Sequence, residues 1–496
     1  MSAPTALVIG GGIAGLLAAH RLAQRGYAVT LAEATSVLGG ALSARYLDVP
    51  SVNKKGAPQA HTLELDGGAE AYAVRGTAVA ALLEELGLHE RVIAPQIAQS
   101  WIHTPQGSLA APALGVLGIP GDLDAPDTLA ALSPEGRRRA AEDREADLER
   151  WARLHEAGER ITVGELVEDR LGTEVLQRLV TPVVAGVHSA DPFTVDVERV
   201  APGLVASMLA HGGLAAGVAA QRAQHAPGSA VAGLDGGMHR LTDRLLELLR
   251  DADVTVLRGV RVAALKRLPE GGWWAQISDR DDEVVRGIDA ERVVLAVDGV
   301  SAWSLLAPAS RGALAEDAGP AHSAGVALVT LVVDHPELDA APRGSGVLVA
   351  EGTGVAAKAL THATAKWAWL AEVVRRELPS GDHRHPHRHV LRLSYGRHGG
   401  DDQLGFRSTD EELTEQAVTD AAALTGVGLR PEDVAASMVV RWRACIPPQA
   451  GTSRDAMNAL TRWSQDQAGL DVVGAWVDGT GLAAIVAGVE RRVSQD

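Results

Sequence analysis

Gly10, Gly12 and Gly15 stand at the spacing G-x-G-x-x-G, directly behind the apolar run Ala6-Leu7-Val8-Ile9 and ahead of an Ala/Leu-rich segment. That order reads as strand, tight turn and helix. The three glycines do different things. Gly10 makes the turn, Gly12 admits a pyrophosphate against the backbone, and Gly15 lets helix meet strand. The helix start, with Ile13 and Ala14, offers free N–H groups and partial positive charge to the phosphates. Glycine is frequent in this chain (54 of 496 residues), so the spacing alone is weak. The elements that must position it strengthen the reading. A helix from Leu16 to Arg25 ends at Gly26, a strand runs from Ala28 to Ala32, and Glu33 closes the βαβ unit 18 residues past Gly15. An acidic side chain at that distance accepts hydrogen bonds from an adenosine ribose. The unit predicts a bound dinucleotide.

Two further glycine-rich stretches fit the same ligand. Gly39-Gly40, soon after Glu33, lets the chain pass close to phosphates. The tail Gly474-Ala475-Trp476-Val477-Asp478-Gly479-Thr480-Gly481-Leu482 leads into an apolar helix. N–H groups at that helix start suit the pyrimidine edge of a flavin, where negative charge appears on reduction. A plain turn is the alternative at both places.

The chain of 496 residues is long enough for two or three domains. Hydrophobic residues at 46% and charged residues at 22% are those of a soluble globular protein. The net charge of −17 argues against nucleic-acid binding, and an anionic substrate needs a local basic pocket. A single cysteine, Cys445, excludes an internal disulfide and a multi-cysteine zinc site, and reads as a buried small hydrophobe. No apolar run reaches bilayer length, and the N-terminus lacks a basic stretch ahead of an unbroken apolar one. No transmembrane segment is expected, and the protein is expected to be cytoplasmic. The cluster His383, His385, His387 and His389, with Pro386 and interleaved arginines, reads as an exposed loop, with a metal site as the sharper alternative.

Strand signals at Leu63–Asp66, Val254–Leu257, Arg261–Leu265, Val293–Val297, Val326–Val333 and Asp471–Gly474 alternate with helical ones. Residues 48–58 read as a polar loop and Val200–Gln224 as helix. The fold class is α/β, with a discontinuous Rossmann-like nucleotide-binding domain, an α+β substrate-binding domain and an inserted helical domain. The expected boundaries are 1–76, 226–300 and 438–496 for the three parts of the first, 77–225 for the helical insertion and 301–437 for the substrate domain.

Beyond these signatures, Thr162-Val163-Gly164-Glu165-Leu166, Arg170-Leu171-Gly172-Thr173-Glu174, Gly346-Val347-Leu348-Val349, Lys358 to Trp367, and Arg441-Trp442 with Ala444 form a longer pattern. It resembles the FAD-dependent amine oxidase and protoporphyrinogen oxidase superfamily, and within it the Gram-positive type of coproporphyrinogen III oxidase, over nearly the full length. The resemblance implies non-covalent FAD, a tetrapyrrole substrate that gives hydride to the flavin in repeated cycles, molecular oxygen as acceptor, and transient contact with a ferrochelatase. It implies cofactor contacts from Gly10, Gly12, Ile13, Ala14, Gly15, Glu33, Gly39, Gly40, Ala69, Glu70, Val262, Trp442, Gly479, Gly481 and Ile485. Arg75, Lys366 and Arg441 are candidates to pair with substrate propionates, with ordinary surface charge as the alternative. No catalytic acid or base is named, because aromatisation of the macrocycle and the flavin's electron sink carry the chemistry. Ala41 replaces a basic residue often found after Gly39-Gly40 in this family, and Arg45 is the candidate to supply that phosphate contact. His362-Ala363-Thr364 replaces the family's Phe-containing pattern. A protoporphyrinogen oxidase, a flavin amine oxidase and a redox-inactive scaffold remain as alternatives. The second of these needs an aromatic cage, for which only 4 Tyr and 2 Phe are present beside Trp.

Overall fold

Five parallel strands from three separate stretches of chain form one sheet, in the order Thr255–Arg258, Ala28–Glu33, Thr5–Ile9, Arg292–Leu295, Leu470–Val472. In this computed structural model the described residues are 3–52, 58–74, 76–97, 99–112, 115–188, 190–223, 231–279, 283–320, 324–378, 387–396, 403–446 and 451–494. Leu7, Val8, Val293, Val294 and Leu295 are fully buried, as expected for parallel strands covered on both faces. Helices Ile13–Gln24, His239–Asp251 and Leu482–Val489 share a core beside the sheet, so both ends of the chain meet there.

A second, seven-stranded sheet runs Val434–Ile446, Ala324–Asp334, Arg388–Tyr395, Ala359–His362, Gly346–Val349, Trp101–Thr104, Gly107–Ala110. Its neighbours are antiparallel except for Trp101–Thr104 against Gly346–Val349, where Val347 lies opposite Trp101. The stretch 77–225 is rich in helix, yet it also contributes Trp101–Thr104 and Gly107–Ala110 to this sheet. A hairpin-linked sheet of Arg261–Arg267, Trp273–Ser278 and Val284–Ala290 packs with Gly299–Ala309. The architecture is α/β, with the parallel sheet and an α+β layer.

Two local expectations need correction. Of the loop expected over 48–58, residues 48–52 and 58 are strand: Ala44–Val52 pairs antiparallel with Pro58–Asp66 from Ala44↔Asp66 to Val52↔Pro58, and 53–57 lie outside the described residues. Pro50 and the charges of that strand hide it from pattern reading, because a two-stranded ribbon tolerates both. The helix expected over Val200–Gln224 is two helices, Leu204–His211 and Leu214–Ala223, meeting at 111°. Gly212, left-handed at φ of +79°, ends the first helix, and buried Asp143 caps the second: its carboxylate accepts the N–H groups of Leu214 and Ala215, and an ion pair from buried Arg170 at 2.8 Å holds it there. Among the described residues no single helix is long and apolar enough to cross a bilayer.

Candidate cofactor and substrate site

Between Thr5–Ile9 and the first turn of Ile13–Gln24 there is no room for side chains at Gly10 and Gly15. Gly10 has φ of +105°, and a Cβ on Gly15 would lie 1.9 Å from the Gly10 carbonyl oxygen. Gly12 differs: a Cβ there would find only the Gly40 Cα at 3.9 Å. The turn is thus closed on the protein side and open where a ligand approaches. Gly39 N–H donates to Gly11 O at 2.7 Å, and Gly12 bridges Gly39, so the two glycine loops form one cradle with Gly40 at its edge. Helix Ile13–Gln24 starts at Gly12 with no side-chain cap, which leaves the N–H groups of its first turn to a ligand. Glu33 accepts from Gly11 N–H at 2.7 Å and from Thr35 N–H and Oγ1 at 2.7 Å each. The carboxylate is therefore fixed at the rim of the cradle. Beside it a cavity of about 390 Å³, lined by Ala34, Thr35, Ser36, Gly259, Arg261 and Asp279, opens next to the buried Val262.

The segment Gly67-Gly68-Ala69-Glu70 leaves the end of Pro58–Asp66 and lies across the cradle. Gly67 N–H donates to Ser43 O and Ala69 N–H to Ala41 O, each at 2.8 Å. Trp442 Nε1 donates to Gly67 O at 2.7 Å, and Arg392 donates to Gly68 O. Arg45 stacks over the Trp442 ring at 5.3 Å and donates to Ser43 Oγ and Ala44 O. Burial lowers its affinity for its proton. Among the described residues no carboxylate pairs with it, so it remains available to an anion.

Glu70 and Lys366 form an ion pair of 2.6 Å, each less than a fifth exposed, with Arg392 Nη1 at 3.8 Å from the other carboxylate oxygen. Burial pushes the Glu70 carboxyl up, but Lys366 and Arg392 more than offset that and hold it below the usual range. Lys366 thus spends its charge on Glu70. Arg441 faces the other way from its neighbour Trp442. It pairs with Asp410 and donates to Gly405 O at 2.9 Å and Ser408 O at 3.0 Å. Arg75 lies outside the described residues, as do Pro447, Pro448, Gln449 and the side chain of Cys445. Arg392, on strand Arg388–Tyr395 between Leu391 and Leu393, escaped the sequence reading.

At the far end, Gly481 caps helix Leu482–Val489 without a side-chain cap, and a Cβ on Gly474 or Gly481 would meet nothing within 4 Å. Asp478, fully buried, accepts from Gly474 N–H at 3.0 Å and pairs with Arg491 and Arg492. It fixes the loop carrying Gly479, while Ile485 packs on the core of helix Ile13–Gln24. Uncapped helix starts at both chain ends, an open cradle and an unpaired cation fit a flavin adenine dinucleotide.

The histidine-rich stretch is in part a strand. Residues 383–386 lie outside the described residues, but His389 is on strand Arg388–Tyr395, not in a loop. His389 Nδ1 meets His362 Nε2 at 3.1 Å, its Nε2 meets Asp339 Oδ1 at 2.9 Å, and the two rings line a cavity of about 490 Å³. His362 is 3% exposed, and burial, aided by His389, pushes its pKa down to about 3. The folded state therefore binds fewer protons there than the unfolded chain between pH 3 and about 6.5, and stability falls as pH drops through that window. His362→Phe is expected to recover about 1.4 kcal/mol of the loss between pH 7 and about 5.5, measured by urea unfolding at both values.

The family model for flavin containing amine oxidoreductase matches residues 13–489. Coproporphyrinogen III oxidase of Mycobacterium tuberculosis (strain ATCC 25618 / H37Rv) is 31% identical over 502 residues, covering 98% of this chain and 96% of that protein. The Mycobacterium leprae (strain TN) coproporphyrinogen III oxidase is 30% identical over 502 residues, covering 99% and 98%. A solved structure from Exiguobacterium sp. 255-15 superposes with a TM-score of 0.77 at 24% identity, covering 99% of this chain and 98% of that one. With the open cradle and the paired loops above, these matches place the chain in the flavin-containing amine oxidoreductase family, in the branch that holds the coproporphyrinogen III oxidases, with FAD as its cofactor.

Proposed function

We propose that the protein oxidises coproporphyrinogen III to coproporphyrin III in repeated two-electron cycles, with dioxygen as final acceptor and peroxide as its product. The observation that carries this reading is full-length similarity, at 31% identity, to mycobacterial enzymes of that name. Bound FAD supplies the two-electron acceptor.

The chain's own residues hold and orient. Gly12 and the first turn of Ile13–Gln24 would hold the pyrophosphate, Arg45 would supply the cation that Ala41 lacks, and Glu33 would hold the ribose. Trp442 and Arg392 fix the carbonyls of Gly67 and Gly68, so the segment reaching Ala69 and Glu70 presents a rigid wall to the flavin. The Glu70–Lys366–Arg392 cluster is satisfied internally. A propionate reaching Lys366 must compete with Glu70 for it.

The holoprotein, given each reduced tetrapyrrole in air at equal concentration, is expected to raise porphyrin fluorescence faster with coproporphyrinogen III than with protoporphyrinogen IX. The reverse order makes it a protoporphyrinogen oxidase. Fluorescence from neither substrate, with FAD bound, overturns the assignment.

A further inference from the structure

His239 opens helix His239–Asp251 with its side chain wholly buried. Its Nδ1 is 2.8 Å from Asp66 Oδ1, and Asp66 also accepts the N–H groups of Met238 and His239 at 3.0 and 2.9 Å. A carboxylate with three such neighbours only accepts, so the imidazole carries a proton on Nδ1 and leaves Nε2 as the atom that a further ligand would meet. That buried Nε2 has no hydrogen-bond partner. It stands 3.6 Å from Glu64 Oε1.

The separation discriminates between explanations. At 3.6 Å it is too long for an N–H···O bond. Two donors bound to one tetrahedral zinc ion stand about 3.3 Å apart, given metal–ligand distances of about 2.0–2.1 Å. Asp243 sits one turn after His239 on the same helix face, and its carboxylate, the Glu64 carboxylate and the imidazole nitrogen lie within 4.8 Å of one another. Arg240 reaches both acids from outside, with Nη2 2.7 Å from Glu64 Oε2 and Nη1 3.4 Å from Asp243 Oδ2. It orients them and leaves one oxygen of each for a ligand. The exposed Tyr46 hydroxyl donates to Glu64 Oε1 at 3.2 Å and must turn away or move outward. The Asp66–His239 hydrogen bond is the outer support that fixes a metal-binding imidazole.

Gly237 is shaped for this arrangement. It has φ of +103°, and a Cβ on it would strike the His239 ring at 2.5 Å. We propose that Glu64, His239 and Asp243 form a three-ligand site for a zinc-type divalent cation, with water completing the tetrahedron. The ion clamps the start of helix His239–Asp251 to the hairpin that runs through Asp66 into the Gly67–Glu70 wall. Imidazole plus two carboxylates suits zinc better than calcium or magnesium, which favour all-oxygen sites.

The test uses the FAD-loaded full chain, treated with chelator and then titrated with zinc, with cobalt as an optical probe. One zinc per chain is expected. Cobalt is expected to give tetrahedral d–d bands on the long-wavelength side of the flavin absorbance. Glu64→Gln and Asp243→Asn alter side chains 30% and 42% exposed, so both variants are expected to fold. Each is expected to weaken zinc binding at least about tenfold. The double variant His383→Ala/His385→Ala is expected to bind as wild type, which separates this site from the histidine-rich stretch. No stoichiometric zinc, or zinc held equally well by Glu64→Gln, overturns the proposal.

Discussion

Gly12→Val is expected to give a folded protein that stays colourless in excess FAD. The backbone at Gly12 is extended, with φ of −75° and ψ of 178°, a conformation open to any residue. A Cβ there meets no protein atom closer than 3.9 Å, so the fold is expected to lose about the 1 kcal/mol that a poor N-cap costs. The space it fills is the one through which a pyrophosphate reaches the helix N-terminus. FAD affinity is expected to fall at least about a hundredfold, or roughly 2.7 kcal/mol. Gly15→Ala makes the contrast. Its Cβ would lie 1.9 Å from the Gly10 carbonyl, so that variant is expected to lose stability as well as cofactor. Thermal unfolding of each apoprotein beside FAD titration separates the two. A yellow Gly12→Val protein would show that the cradle is not the phosphate site.

The second large effect belongs to Glu70. Glu70→Gln removes the only carboxylate that faces Lys366 and Arg392 among the described residues, and leaves two poorly solvated cations side by side. Breaking such a pair costs about 3–5 kcal/mol. The double change Glu70→Gln/Lys366→Met should restore part of that loss, because one of the stranded charges goes with it. Urea unfolding at pH 7 measures both. The pH dependence has a definite sign. The folded carboxyl is held below its unfolded value, so its contribution is present above about pH 4.3 and fades as pH falls below that. Glu70→Gln should therefore differ less from the parent at pH 3 than at pH 7. Equal cost at both values would mean that the Glu70 charge contributes nothing.

The glycine cradle was legible because its requirements are local. Gly10 and Gly15 are dictated by a turn and a helix contact within six residues of each other, and Glu33 by the end of the next strand. The uncapped helix at Gly481 was legible for the same reason. Contacts between distant residues were not. Glu70 and Lys366 are 296 positions apart, and nothing near either one announces the other. Arg441 and Trp442 are adjacent in sequence, yet strand alternation sends one toward Asp410 and the other toward Gly67. Their opposite roles emerge only when the neighbours of each face are known. Ala44–Val52 escaped because a proline and several polar residues belong to a two-stranded ribbon, whose pattern is weaker than that of a buried sheet. The break between Leu204–His211 and Leu214–Ala223 had a local signal in Gly212-Gly213, while the cap that Asp143 gives the second helix comes from some 70 residues upstream.

Arg45 illustrates a middle case. Its position four residues after Ala41 suggested a substitute phosphate contact. The structure adds the reason it can serve: the guanidinium is stacked on Trp442 and has no carboxylate of its own among the described residues.

The porphyrinogen reading is tested most directly without oxygen. Yellow holoprotein is titrated anaerobically with coproporphyrinogen III, and in parallel with primary and polyamine substrates of amine oxidases. Loss of the flavin's visible absorbance with coproporphyrinogen, matched by porphyrin formed and absent with every amine, is the expected result. A flavin that stays oxidised in coproporphyrinogen but bleaches with an amine would contradict it.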